Sequence, residues 1–279
     1  MAISVVDLAA KVFPPDDWII PNLLTRFNTG FMIGPAKKGK SWLLLDAAWS
    51  LSEGKEPWGI RELRPSRPMR TVYFTQEDAD VNIQARILAH VNNGKREPND
   101  RVWVVPKNLN MNLDTPMGQR VIQRELDSVA GAVGRIDLVM FDPFRRIMEG
   151  DENDSAVIAK IWGKIAVMQE RYGCGTIISH HTVKPPRDKG GWDPTDPYAG
   201  RGSGDIYGGG DAFMMLVPGA LAGDRMSRKV GLFFESKRAA EISPARLNID
   251  FATGRATYLG ELRRKDSESD DEDQLMDLA

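Results

Sequence analysis

The sequence predicts an α/β domain with a largely parallel central sheet flanked by helices and an antiparallel C-terminal extension. Three observations lead there. Short apolar runs alternate with helix-period segments through about the first 180 residues. One of these runs, Phe31-Met32-Ile33, leads into Gly34-Pro35-Ala36-Lys37-Lys38-Gly39-Lys40-Ser41, which fits the phosphate-loop pattern G-x-x-x-x-G-K-[ST] and opens a helix. Past residue 210 the pattern turns mostly to strands.

In chain order, residues 1–30 read as a lead-in. Trp18 to Leu24 is apolar and broken by Pro21, which suits packing at the core edge, with an adenine contact for Trp18 as the alternative. Residues 42–51 are apolar on most faces and read as a buried helix beside a covered sheet, with Gly54 near its end. Thr71 to Thr75 reads as a strand, 79–93 as a helix, Arg101 to Val105 as a strand and 115–130 as a helix. Ile136 to Phe141 is a strongly apolar strand ending at Asp142. Residues 154–172 are helical, with Asn153 or Asp154 as N-cap and Gly173 as C-cap. Gly175 to Ser179 is a strand ending at His180-His181. Residues 182–209 hold seven glycines and four prolines and show no period. Strands resume at 211–217 and 229–235, and 247–259 reads as a hairpin at the sheet edge.

At 279 residues and 42% hydrophobic, the chain can bury a large core. It has no apolar run of membrane-spanning length and no signal-peptide pattern, and its one cysteine, Cys174, precludes an internal disulfide. These features suit the cytoplasm. Net charge is −2, but residues 261–279 carry −5, so residues 1–260 carry +3. The sequence therefore reads as one domain over 1–260 and an acidic, disordered tail over 261–279.

A phosphate loop works by geometry. Successive backbone N–H groups wrap phosphates, and the helix N-terminus favours negative charge. Gly34, Pro35, Ala36, Lys37, Lys38, Gly39, Lys40, Ser41 and Trp42 are the expected nucleotide contacts. Lys40 is expected on the β- and γ-phosphates, and the Ser41 hydroxyl on Mg²⁺. Asp142, at the C-terminal end of its strand, is the second expected Mg²⁺ residue, acting through water. Hydrolysis needs a carboxylate to polarise water. Glu77 is the best placed, with Asp78 the substitute or a helix cap. His180 and His181 end a strand expected beside that of Asp142, where either could touch the γ-phosphate. Lys184, Arg187, Lys189 and Arg201, with interleaved aromatics, suit a grip on a single strand or a plain loop. Arg145 and Arg146 follow Asp142. Lys237 and Arg238 are either solvated or placed to act on a neighbouring copy's nucleotide.

The phosphate loop, Tyr73-Phe74-Thr75-Gln76-Glu77-Asp78, Leu138-Val139-Met140-Phe141-Asp142 and Ile177-Ile178-Ser179-His180-His181 occur in this order. Together they resemble the RecA-like P-loop ATPases of the plasmid replicative helicase RepA group, with similar phage and prophage ATPases. DnaB-type and RadA-type motors are more distant. Asp142-Pro143-Phe144-Arg145-Arg146 also resembles that group's Asp-x-x-Arg-Arg segment. The resemblance covers roughly residues 18–240. It implies a homohexamer, ATP and Mg²⁺ between subunits, and single-stranded DNA in a central channel. It further implies that Lys40, Ser41, Asp142 and Glu77 take the roles above, that His180 or His181 is a sensor, and that Arg86 matches an arginine after the catalytic glutamate. The arginine finger lies between Arg238 and Arg201, since Lys237-Arg238 lacks the spacer of the Lys-x-Arg pattern. A DNA helicase is thus expected, or else an ATPase switch that loads or regulates a replication or recombination partner without unwinding; the acidic tail departs from the group's pattern and suits a protein-docking segment or a competitor for the DNA channel.

Overall fold

The computed structural model describes residues 3–12, 17–108, 110–183, 193–219, 227–237 and 242–262. Helix α1 (Val5–Ala10) is capped by Ser4 and buries none of its residues. Strands β1 (Trp18–Ile20) and β2 (Leu24–Thr25) form a small antiparallel ribbon whose Ile19, Ile20, Leu23 and Leu24 are buried. There follow β3 (Thr29–Gly34), α2 (Lys40–Ser52), β4 (Thr71–Thr75), α3 (Asp80–Leu88), β5 (Val102–Val105) and α4 (Pro116–Val133). Then come β6 (Leu138–Asp142), α5 (Ser155–Tyr172), β7 (Gly175–His181), α6 (Gly204–Gly208) and β8 (Ala212–Pro218). The chain closes with β9 (Ser227–Ser236), β10 (Ala245–Asp250) and β11 (Ala256–Glu261).

Nine of these strands form one sheet in the order β11-β10-β9-β8-β3-β7-β6-β4-β5. From β8 to β5 every pairing is parallel, and β9, β10 and β11 add on antiparallel. Successive residues of a strand face opposite sides, so each inner strand feeds two cores. Met32, Tyr73, Met140 and Met214 pack with α2 and the C-terminal strands. Phe31, Ile33, Phe74 and Phe141 pack with α4 and α5. This is the three-layer arrangement that near-continuous apolar strands require.

The cap of α5 is Asp154, whose side chain accepts from the Ala156 N–H, and Gly173 closes it at φ 63°. Two expectations need refinement. The helix expected over 79–93 is present, but only Asp80–Leu88 is α-helical; its last turn, Ala89–Asn93, widens into a π-helix capped by Gly94. That turn swings His90 inward to stack on Trp49 at 5.2 Å. The stretch 182–209 is also not without structure. Asp196 and Ser203 cap a 3₁₀ turn and α6, Thr182 bridges Gly200, and the Tyr198 and Tyr207 rings pack at a tilt with centroids 3.9 Å apart. Local side-chain caps, invisible to a search for apolar period, build these pieces. Residues 184–192 lie outside the described residues, as do Arg238 and 263–279.

The end of the sheet opposite the phosphate loop is held by Asp137, fully buried just before β6. Its carboxylate pairs with Arg135 at 2.8 Å, Arg67 at 3.0 Å and Arg26 at 3.3 Å, and accepts from the Arg70 N–H at 2.8 Å. Removing one partner of a buried ionic cluster leaves the rest uncompensated. Asp137→Ala is expected to cost about 3 kcal/mol in urea unfolding, and a loss below about 0.5 kcal/mol would contradict this role.

Candidate functional site

Parallel pairing brings the C-terminal ends of β3, β4, β6 and β7 to one edge. Gly34 lies opposite His181, and Thr75 opposite Asp142. The loop leaving β3 turns through Lys37 at φ 60° and Gly39 at φ 107° into α2. Glycine suits position 39 for its left-handed φ, and a Cβ there would also press on Ile249 Cδ1, 2.5 Å away. A Cβ on Gly34 would meet the Leu216 carbonyl oxygen at 2.9 Å. The backbone N–H groups of the loop from Ala36 to Gly39 and of the first turn of α2, which has no side-chain cap, border the site. They form an anion cradle of the kind a triphosphate fits.

Lys40 is 5% exposed. Its Nζ donates to Gly34 O at 2.7 Å, to Pro35 O at 2.8 Å and to His181 Nδ1 at 3.1 Å. Burial pushes the ammonium down to about 8, against the opposing pull of Asp142 and Glu77. A phosphate oxygen entering the cradle could replace one of its acceptors. Accepting through Nδ1 assigns the His181 proton to Nε2, and burial followed by the Lys40 charge lowers its pKa.

Asp142 is buried at the end of β6. Tyr73 Oη donates to one carboxylate oxygen at 2.5 Å, and Ser179 Oγ donates to the other. The Gln76 N–H donates to the Asp142 carbonyl at 2.8 Å, and the next residue, Glu77, is exposed. A cavity of ≈ 360 Å³ is lined by the phosphate loop from Ala36 to Trp42, by Glu77, Asp78, Arg86, Asp142 and His181, and by Phe251. Its size is that of a small-ligand site. The donor set also suits a magnesium ion, which takes one or two protein oxygens and keeps its waters. Ser41 and Asp142 are the residues that would hold it.

Other expected residues fall elsewhere. His180 points to the opposite face, meeting Phe144 and Phe31 edge-on, with Nε2 on the Arg201 carbonyl. Burial, eased by that backbone contact, pushes its pKa to about 4. The Arg201 guanidinium pairs with Glu152 and does not line this cavity. Lys237 lies at the far end of the sheet, its N–H on Asp211 O at 2.9 Å. Arg145 and Arg146 line a neighbouring cavity. Arg238, Lys184, Arg187 and Lys189 lie outside the described residues. Trp18 is not in the cavity. Its aromatic wall is Trp42 and Phe251, 5.4 Å apart, with Arg86 over Trp42 and Arg228 over Phe251. Arg86 also pairs with Asp78 at 2.6 Å.

Sequence reading missed Tyr73, Ser179, Phe251 and Arg228. Tyr73 and Ser179 carry a weak signal as polar groups inside apolar strands, and Ser179 shares a face with His181. Phe251 and Arg228 arrive from the C-terminal strands, and no local pattern marks them.

A family model described as "AAA domain" matches residues 1–187. The chain belongs to this AAA-domain family. Among solved structures it is similar to a KaiC-like protein from the hyperthermophilic archaeon Pyrococcus horikoshii OT3, with TM-score 0.55 and 12% identity over 85% of this chain and 91% of that one. That likeness shows the fold. With the family, it makes the chain a RecA-like P-loop ATPase. No helix among the described residues is long and apolar enough to cross a membrane.

Lys40 gives a pH prediction. In the free protein its pKa is about 8, and bound phosphates would raise it, so nucleotide binding takes up a proton at higher pH. ATP affinity is expected to fall as pH rises above about 8, by up to about tenfold per unit. Fluorescent-nucleotide titration from about pH 7 to about pH 9.5 checks this, and a flat profile would contradict it.

Proposed function

We propose that this AAA-family ATPase is an ATP-driven DNA motor: a hexameric replicative helicase of a plasmid or phage element that couples hydrolysis to translocation on single-stranded DNA. The supporting observation is the convergence of Lys40, Ser41, Glu77, Asp142 and His181 on one cavity, with Glu77 and Asp142 at the ends of adjacent strands. This is the division of roles that the resemblance to the RepA group implies.

In this reading the loop N–H groups and Lys40 bind and orient the triphosphate. Ser41 and Asp142 hold Mg²⁺, which neutralises developing charge on the phosphates when bound. Tyr73 and Ser179 fix the Asp142 carboxylate. Glu77, at the cavity mouth, orients the attacking water and takes its proton. His181, neutral and joined to Lys40, senses the γ-phosphate, and its strand continues into the 182–209 loop. Arg201 or Arg238 acts in trans on a neighbouring copy's nucleotide. Arg145, Arg146, Lys184, Arg187 and Lys189 contact DNA. Residues 1–260 form the ATPase domain, and 261–279 dock a replication partner in the cytoplasm.

Unwinding of a forked DNA substrate tests the reading. The wild type is expected to separate strands with ATP, and Lys40→Ala to show no unwinding. Equal unwinding by Lys40→Ala would sink the assignment. Wild-type hydrolysis that DNA does not accelerate, without strand separation, would point instead to an ATPase switch.

A further inference from the structure

Beside the nucleotide cavity lies a second one, of ≈ 320 Å³. Lys107, Asn108 and Asn112 from the loop after β5, Arg145 and Arg146 from the turn after β6, and Gln76 line it. Three cations thus face one carboxylate, Glu149, among the lining side chains. Lys107, Arg145 and Arg146 are all exposed, so their charge is available to a ligand from solvent.

The two loops are pinned together. The Leu113 N–H donates to Ile147 O at 2.7 Å, and the Glu149 and Gly150 N–H groups donate to the Asp114 carboxylate at 3.0 and 2.8 Å. Arg145 Nη1 donates to Met148 O at 3.1 Å. The turn that carries Arg145 and Arg146 is therefore held against the loop that carries Asn112. A solvent-exposed cationic notch lined by side-chain amides suits a phosphate that belongs to a continuous strand.

Gln76 is 2% exposed and touches both cavities' frameworks. Its Oε1 accepts from the Asn108 N–H at 3.1 Å, and its own N–H donates to Asp142 O at 2.8 Å. The next residue is Glu77, in the nucleotide cavity. One two-residue segment therefore spans the basic notch and the hydrolytic edge.

We infer that this notch takes one backbone phosphate of single-stranded DNA, and that Gln76 carries its occupancy to Glu77. The inference rests on the motor reading and names the contact through which the strand acts on hydrolysis. A phosphate drawn to Lys107 bears on the adjoining Asn108 N–H, hence on Gln76 Oε1, and so on the position of Glu77. Gln76 is a positioning residue, and Lys107 a binding residue that the sequence motifs do not mark.

The test uses the full chain with a labelled oligothymidylate. ATP turnover is expressed as the ratio with and without DNA for each variant. Lys107→Ala is expected to weaken DNA binding and to flatten the slope of log affinity against log salt by about 0.7, the share of one single-strand phosphate. Its stimulation ratio is expected to fall in step at a fixed DNA concentration. Gln76→Met, which keeps the volume and removes the amide, is expected to bind DNA within about twofold of wild type and to lose stimulation. Lys107 is exposed, so its variant stays informative even if Gln76→Met fails to fold. Unchanged affinity and slope in Lys107→Ala, with a wild type that binds DNA, would overturn the notch and leave the motor reading standing. Full stimulation of Gln76→Met would overturn the relay. Stimulation by inorganic phosphate in place of the oligonucleotide would overturn the assignment to a strand. A wild type that neither binds DNA nor responds to it would overturn the motor reading and the inference together.

Discussion

Everything at the nucleotide edge depends on a buried ammonium. Lys40 is held by two carbonyls of its own loop and by His181 on the next strand, within reach of the fields of Asp142 and Glu77. Burying that charge is costly unless anionic groups and acceptors converge on it. Convergence requires β3, β4, β6 and β7 to end level, which their parallel register provides. The strands beyond β3 bear on the backbone cradle too, since a Cβ on Gly34 would meet the Leu216 carbonyl oxygen of β8 and one on Gly39 would press on the Ile249 side chain of β10.

The C-terminal strands are therefore part of the site. β9 runs antiparallel to β8, so its start lies at the nucleotide edge and its end at the far edge. Arg228, at the start, donates to the Lys37 carbonyl at 2.6 Å and covers Phe251. Lys237, at the end, is carried away from its own phosphate loop. A buried network ties the same hairpin to the phosphate-loop helix. Asp46 on α2 pairs with Arg96 at 2.9 Å and accepts from the Ala256 N–H, and burial raises its carboxyl to about 6.

Much of the fold was legible because its strands are short apolar runs ending in glycine, proline or a polar residue. The chain marks Thr71–Thr75 at both ends, and Asp154 and Gly173 bound α5 by ordinary capping chemistry. The phosphate loop was legible because its geometry demands particular residues in a contiguous stretch. Strand order is not written locally. Glu77 and Asp142 become neighbours only because β4 and β6 pair across the chain. The histidine alternatives separate only once the strand is in place, since alternation sends His181 to Lys40 and His180 into the aromatic core. The cap of the helix at Gly94 meets the turn of the C-terminal hairpin so closely that a Cβ there would lie 2.6 Å from the Thr253 carbonyl oxygen, a contact no local pattern reveals.

The proposed division of labour spans two strands, with Asp142 on β6 assigned to the metal side and Glu77, just past β4, assigned to hydrolysis. Steady-state ATP hydrolysis by Glu77→Gln, with nucleotide affinity measured in parallel, tests this most directly. The account predicts at least about a hundredfold loss of turnover with affinity preserved. Turnover within about threefold of wild type would contradict it.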